Sequence, residues 1–158
     1  PWRVVCLYDV AKALDEPAYL GTDGEEIDLG EDWSCEVDGA TLAGHRLVCS
    51  TNEEQPSLSV FNLEEHKHER IIQLTECPGT NLMGLGDNHV VLFDDVVRVI
   101  ELASGKEVHR WDEFEGCAEH PLPGFTPGTL KPPYLAKDPL RRRFALGWPD
   151  RIIVVQLV

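Results

Sequence analysis

Residues 89–111 read HVVLFDDVVRVIELASGKEVHRW. Two runs rich in Val, Ile and Leu meet at Asp94-Asp95, and the second closes on Ser104-Gly105 before KEVHRW resumes an alternating pattern. Both runs are too short for stable helices, and their β-branched content favours strands. Asp94-Asp95 is the tight link between them, and Gly105 supplies a residue that tolerates positive φ at the next turn. Upstream, TNLMGLGD (80–87) is a further short apolar segment that ends at Gly86-Asp87. The stretch therefore predicts four antiparallel strands joined by hairpins, a small meander.

The chain writes this unit more than once. RLVCSTNEEQPSLSVFNLEEHKHERIIQL (46–74) follows the same order of strands and turns. Aligning the third strands pairs VCLYDV (5–10), LSVFNL (58–63), VRVIEL (97–102) and IIVVQL (152–157). Each alternates apolar positions and then places a polar residue before an aliphatic one: Asp9, Asn62, Glu101 and Gln156. Between copies lie two insertions, GTDGEEIDLGED (21–32) and the Pro- and Gly-rich EGCAEHPLPGFTPGTLKPP (115–133), the latter too broken for regular structure. The innermost strands are expected at SCEVDG (34–39), NLMGLGD (81–87) and PYLAK (133–137). Two segments, DVAKALDE (9–16) and LEEHKHER (63–70), could instead form helices of about two turns. An unrelated β-sandwich is the competing architecture, since short, regularly spaced strands fit it too.

The third strand and its turn resemble a blade of a WD-repeat β-propeller, whose signature runs Asp-Gly-Thr-Val-Arg-Val-Trp-Asp-Leu before a Thr-Gly-Lys turn. Here DDVVRVIELASGKEV matches at Asp94, Val97, Arg98, Val99, Leu102, Gly105 and Lys106. Glu101 stands where the family has Asp, and the Trp position holds Ile100, with Tyr8, Phe61 and Val155 in the other copies. The Gly-His that precedes a blade's first strand is missing; Gly44-His45 comes before the second strand instead. Of the hydrogen-bonded His, Ser, Asp and Trp network bracing many such blades, only the turn aspartate, Asp94, carries over. The SGKEVHRW end is also similar to quinoprotein-type propeller repeats, with a different Trp spacing. The resemblance implies an all-β fold of four-stranded antiparallel meander blades, two whole and two partial. The end of one blade would occupy 1–24, whole blades 30–76 and 78–115, a Pro/Gly-rich loop 115–133, and the start of a further blade 130–158. A closed ring needs at least four full blades. The remaining blades are therefore expected either from a longer parent chain, the favoured option, or from self-association.

At 158 residues the chain can hold one domain with a substantial core. It shows no apolar run long enough for a membrane helix and no recognisable leader, so no membrane partner is expected. Lys and Arg number 14 against 28 Asp and Glu, and a net charge of −14 repels a phosphate backbone and excludes nucleic acid as a general partner. Cys6, Cys35, Cys49, Cys77 and Cys117 are scattered and odd in number, which points to reduced thiols and an intracellular, cytoplasmic or nuclear setting.

Constellations for chemistry are sparse. His66 and His68 would share one face of a strand, and Cys117 and His120 could join them, but the spacing matches no closed zinc site. No nucleophile elbow occurs, Gly84-x-Gly86 lacks a third glycine, and no metal or cofactor is expected. The basic run LRRRF (140–144) reads as an exposed strand paired with acidic neighbours.

The acids are distributed with more pattern. In a propeller, the loops from strand four to the next strand one, and from strand two to three, share one rim. Under this register those loops carry more than half of the acidic residues, Glu25, Glu26, Asp28 and Glu76 among them, with Lys131 as their only base. Such a rim focuses negative potential, and loops on a rigid frame are where recognition resides. The expected partner is a basic segment of another protein, bound by Glu53, Glu54, Asp94, Asp95, Asp112, Glu113 and Asp150. Trp111, Phe114 and Trp148 are the aromatic anchors, with Trp33 a further one. The reading is a non-catalytic interaction scaffold, in one version a substrate receptor or adaptor of a larger complex. The alternative is a propeller-fold enzyme, hydrolase or quinoprotein-like, whose active site lies outside this segment.

Overall fold

Strands β7 (Asn81–Leu85), β8 (His89–Phe93), β9 (Val97–Glu101) and β10 (Lys106–Trp111) form one antiparallel sheet in the order β10-β9-β8-β7. In the computed structural model this sheet occupies the centre of residues 4–7, 25–28, 37–51, 55–78, 81–94, 96–112, 134–148 and 150–157, which are the ones described below. Before it, β3 (Gly39–Ala43), β4 (Arg46–Thr51), β5 (Ser57–Asn62) and β6 (Lys67–Gln73) build a second four-stranded meander. After it, β11 (Tyr134–Asp138), β12 (Arg143–Trp148) and β13 (Arg151–Gln156) form a three-stranded sheet. At the start of the chain, β1 (Val4–Leu7) pairs with β2 (Glu25–Asp28). The protein is all-β, and the aligned segments 58–63 and 97–102 lie in different sheets. Among the described residues no helix is long and apolar enough to cross a membrane.

The two complete meanders repeat one another in detail. Leu58 pairs with Ile72 and Asn62 with Lys67, just as Val97 pairs with Trp111 and Glu101 with Lys106. Both hairpins carry a bulge at the same place, Glu69 in one and Val108 in the other. The turn leading into the fourth strand holds a left-handed residue in each, His66 (φ 50°) and Gly105 (φ 71°). One backbone bond recurs in all three larger sheets: Leu63 N–H to His45, Leu102 N–H to Asn88, and Leu157 N–H to Arg142, at 2.9, 2.7 and 2.8 Å. Equal geometry at aligned positions is what a structural repeat requires.

The apolar alternation becomes two cores. Val90, Leu92 and Ile100 of the central sheet pack with Leu58, Val60 and Ile72 of the preceding one. Its other face carries Val91, Phe93, Val97 and Val99, which meet Phe144 and Leu146 of the following sheet. Phe93 meets Phe144 edge-on, ring centroids 4.9 Å apart. A strand buried on both faces reads as a continuous apolar run, and HVVLF does. Burying each such side chain contributes about 1.5–3 kcal/mol.

Several expectations change. The insertion at 21–32, expected to be a loop, contains strand β2, which pairs with β1. The innermost strand of the first meander is described over Gly39–Ala43, so it begins at the last residue of SCEVDG and runs on through Thr41 and Ala43. LEEHKHER is a turn followed by β6, since pairing with β5 outweighs a marginal two-turn helix. LRRRF is not one strand: Pro139–Arg141 form a 3-10 turn capped by Asp138, Arg142 is left-handed (φ 51°), and the strand begins only at Arg143. The segment DVAKALDE and the loop 115–133 lie outside the described residues.

What lets the sheets approach is Gly84. A Cβ built there would lie 1.7 Å from the carbonyl oxygen of Leu42 on the neighbouring β3. Gly86 is different: its φ of 61° suits glycine, but the nearest atom to an added Cβ is an Arg142 nitrogen 3.8 Å away. Gly84→Ala is therefore expected to destabilise by about 3 kcal/mol through overpacking. Gly86→Ala should cost about 1 kcal/mol, from backbone conformation alone. Urea unfolding of both variants checks the order, and equal losses would contradict a steric role for Gly84.

Candidate functional site

The acidic rim predicted from the loops is assembled in part, around two arginines that stand on strands. Arg98 projects from β9 on the same side as Ile100, toward the preceding sheet, where an aliphatic residue would be ordinary. It is 1% exposed. Its Nη2 pairs with the Asp94 carboxylate and donates to the Cys77 carbonyl at 2.8 Å. Nη1 lies 3.6 Å from Glu76 Oε2 and 4.0 Å from Glu107 Oε2. The Nε of Arg98 is buried with no hydrogen-bond partner in the structure. A charge this deep is tolerated only when paired and hydrogen-bonded. Arg98 thus ties the β8–β9 link, the β6–β7 connector and β10 to one point.

Arg110 on β10 extends the cluster outward. Its Nε donates to Asp112 Oδ1 at 2.7 Å, and Nη1 lies 3.2 Å from Glu76 Oε2 and 3.6 Å from Glu107 Oε2. Hydrogen bonds from Arg110 to Asp112 and Glu76 raise the guanidinium pKa, so it stays charged. Four carboxylates (Glu76, Asp94, Glu107 and Asp112) surround two guanidiniums, leaving an excess of negative charge at this end of the sheets.

The predicted rim residues that fall among the described ones are Asp94, Trp111, Asp112, Trp148 and Asp150. Asp94 is buried (7% exposed), and burial pushes its carboxyl above the ordinary range while Arg98 opposes the shift. Its Oδ1 also accepts from Val96 N–H at 3.1 Å. It braces the cluster from within, buried rather than exposed on a loop as expected. Asp112 is exposed beside Arg110, and Asp150 is exposed in the β12–β13 turn. Trp111 is half-buried on the core shared with the three-stranded sheet, edge-on to His109 at 4.0 Å and to Phe144 at 6.2 Å. Trp148 packs on the same core and carries the Arg151 guanidinium 4.6 Å above its ring. Glu53, Glu54, Asp95, Glu113, Phe114 and Trp33 lie outside the described residues. Glu25, Glu26 and Asp28 were counted as loop acids but belong to strand β2.

Counting loops alone missed Arg98, Glu107 and Arg110, which neutralise part of the rim from strands. Arg98 had a legible signal: a charge at an inward position of VRVIEL demands a buried counter-charge. The repeated polar position has its own duty at the opposite end of the sheets. Asn62 Oδ1 accepts from the N–H groups of Glu64 and Glu65, both at 3.0 Å, and Glu101 accepts from Ser104 Oγ at 2.6 Å. Gln156 donates to the Arg141 carbonyl at 2.8 Å. Beside them Arg46 bridges to Glu69 at 2.8 Å and donates to the Asp87 carbonyl at 2.8 Å, joining two sheets.

His66 sits in the turn and His68 on β6 stacks against Phe61 at 4.9 Å, so the two do not share a strand face. Cys117 and His120 lie outside the described residues; among these, no group of His, Cys, Asp and Glu forms a metal-binding cluster. Arg141 and Arg143 both pair with Asp138, at 3.0 and 3.1 Å. No known family model matches the chain, and no curated protein sequence matches it.

Asp94→Ala is expected to cost about 3 kcal/mol, because buried Arg98 loses its hydrogen-bonded carboxylate and keeps only the more distant Glu76 and Glu107. Asp94→Ala combined with Arg98→Met should recover most of that loss in urea unfolding. Glu69 supplies a pH test. Its bond from Arg46 holds the carboxyl below the ordinary value of 4.5, so the stabilisation is full above that pH and lost as pH falls through the lower folded value. The stability gap between the parent and Glu69→Gln should be widest near neutrality and close below pH 4.5.

Proposed function

We infer that the chain is a non-catalytic protein-interaction module, a WD-repeat-like propeller segment whose acidic rim receives a basic segment of a partner protein. Two four-stranded meanders with the same register, bulge and turns support the repeat framework. The observation that carries the binding reading is the convergence of Glu76, Asp94 and Asp112 at one end of the sheets. Arg98 and Arg110 hold them there and compensate only part of their charge.

In this reading the arginines hold the acidic connectors in place before a partner arrives, which lowers the ordering cost of binding. In the proposal Asp112, together with Glu53, Glu54, Asp95 and Glu113, meets Lys and Arg side chains of the partner, and Trp111, Phe114 and Trp148 provide apolar area. Asp150 extends the acidic edge toward the three-stranded sheet. The role is that of a substrate receptor or adaptor within a larger assembly. A reducing compartment, cytoplasm or nucleus, goes with it: Cys49 is buried, with its thiol pushed up to about 11, and neither Cys49 nor Cys77 forms a disulfide among the described residues.

A fluorescent Lys/Arg-rich peptide is the direct probe. Its affinity for the chain is expected to fall about tenfold or more between 50 and 300 mM salt. Reversing Asp112, Glu113, Glu53 and Glu54 to Lys should abolish binding while leaving the urea midpoint unchanged. Affinity that ignores both salt and charge reversal would reject the rim as the binding surface.

A further inference from the structure

The two arginines of the rim are held differently. Arg110 pairs with Arg98 in the β9–β10 register, so two guanidiniums stand on neighbouring strands. Like charges in such a pair do not support one another, and each is held by its carboxylates alone. The Arg98 side chain is 2% exposed and that of Asp94 10%, so their ion pair is a fixed one. Separating it would strand a buried charge. Arg98 also keeps its Nε without an acceptor among the described residues, so the inner pair has no carboxylate to spare.

Arg110 is held at the surface. Its side chain is 34% exposed, and its partners Glu76, Glu107 and Asp112 are 51, 35 and 72% exposed. Exposed ion pairs of this kind add little stability and break readily. The carboxylates approach the guanidinium from two sides. Glu76 Oε2 lies 3.2 Å from Nη1 and 3.3 Å from Nη2, and Asp112 Oδ1 lies 2.7 Å from Nε. A planar fork of donors fills that arrangement, and a compact ammonium does not. Glu107 reaches Arg110 along the same strand, at 3.6 Å. The bulge at Val108 permits this by resetting the alternation that otherwise puts residues three apart on opposite faces.

We propose that Arg110 is a place-holder on the rim, and that an arginine of the partner's basic segment displaces it from Glu76 and Asp112. This exchange rests on the rim being the binding surface; it adds which cation the rim selects and what that cation competes with. The fork-shaped seat now filled by Arg110 selects arginine over lysine. On exchange Arg110 keeps Glu107, its neighbour on β10, as a counter-charge. Glu76 stays in place through Arg98, whose Nη1 lies 3.6 Å from Oε2. Neither guanidinium is left unpaired. Three outer carboxylates (Glu76, Glu107 and Asp112) stand against one outer guanidinium, so the rim has charge enough for a second.

The test titrates two fluorescent peptides of equal length and charge, one basic through arginine alone and one through lysine alone. Each is added to the 158-residue chain and to its Arg110→Lys and Arg110→Gln variants. Arg110→Lys keeps the net charge and removes the competing fork, so the arginine peptide is expected to bind it about threefold tighter than the parent. Arg110→Gln should bind that peptide about fivefold tighter. The lysine peptide should gain less than about twofold from Arg110→Lys. Because Arg110 is held by exposed pairs, both variants should unfold at the parent's urea midpoint, which separates a change in binding from a change in folding. Arginine-peptide binding that is unchanged or weaker in Arg110→Lys overturns the exchange and makes Arg110 a positioning residue for the acids. Equal gains for the two peptides overturn it too, since no fork is then being read. Binding to neither the parent nor the variants rejects the rim itself, and the exchange with it.

Discussion

The close approach of Gly84 to the carbonyl of Leu42 is the constraint from which the rest of the molecule follows. Two innermost strands of successive sheets lie backbone to backbone there, with no room for a side chain between them. Lys137 makes a comparable link on the next pair, donating from Nζ to the Leu82 carbonyl at 2.8 Å, with its own pKa lowered by burial. Away from these inner edges, side chains such as Leu58, Ile72 and Ile100 fill the space between the first two sheets. The same stacking leaves the connectors at the two ends of the strands.

Those two ends use different chemistry. At one, neutral and singly charged groups close the turns locally: Asn62, Glu101 and Gln156 each bind backbone or side chain near the loop they adjoin. At the other, Arg98 and Arg110 draw carboxylates from separate connectors into one cluster. A buried ion pair such as Asp94–Arg98 adds little net stability over an apolar pair, because desolvation offsets the attraction. Its value lies in position, since the pair fixes where the β6–β7 connector and the β8–β9 link must sit. The exposed Asp112 then hangs from a fixed frame.

Much of this was legible along the chain. The third strands could be aligned because alternation with period two survives although the aligned position holds Phe61 in one copy and Ile100 in another. The order of strands around Gly86 and Gly105 followed from turn chemistry. Strand β2 was hidden because EEID carries one aliphatic residue among three acids, and its pairing with β1 comes from distant sequence. LEEHKHER looked helical for a related reason, since nothing local records the partner strand that makes it β6. In the candidate site, Asp112 and Glu76 were found as loop acids, but Asp94 was assigned to the surface when it is buried. Whether a carboxylate faces solvent or a guanidinium depends on which residue stands across the sheet, and that residue is not its neighbour in sequence.

The amino-acid sequence alone determined the all-β class, the repeat and the placement of most turns, because each depends on local alternation and on residues that tolerate left-handed backbone. Only the tertiary structure decided which charges cancel and which remain, since Arg98, Glu76 and Glu107 meet across strands and connectors far apart in the chain. It also decided that Leu58 and Ile152, alike in sequence context, differ wholly in exposure. Burial is a property of what packs against a residue, and a pattern along one strand does not contain it.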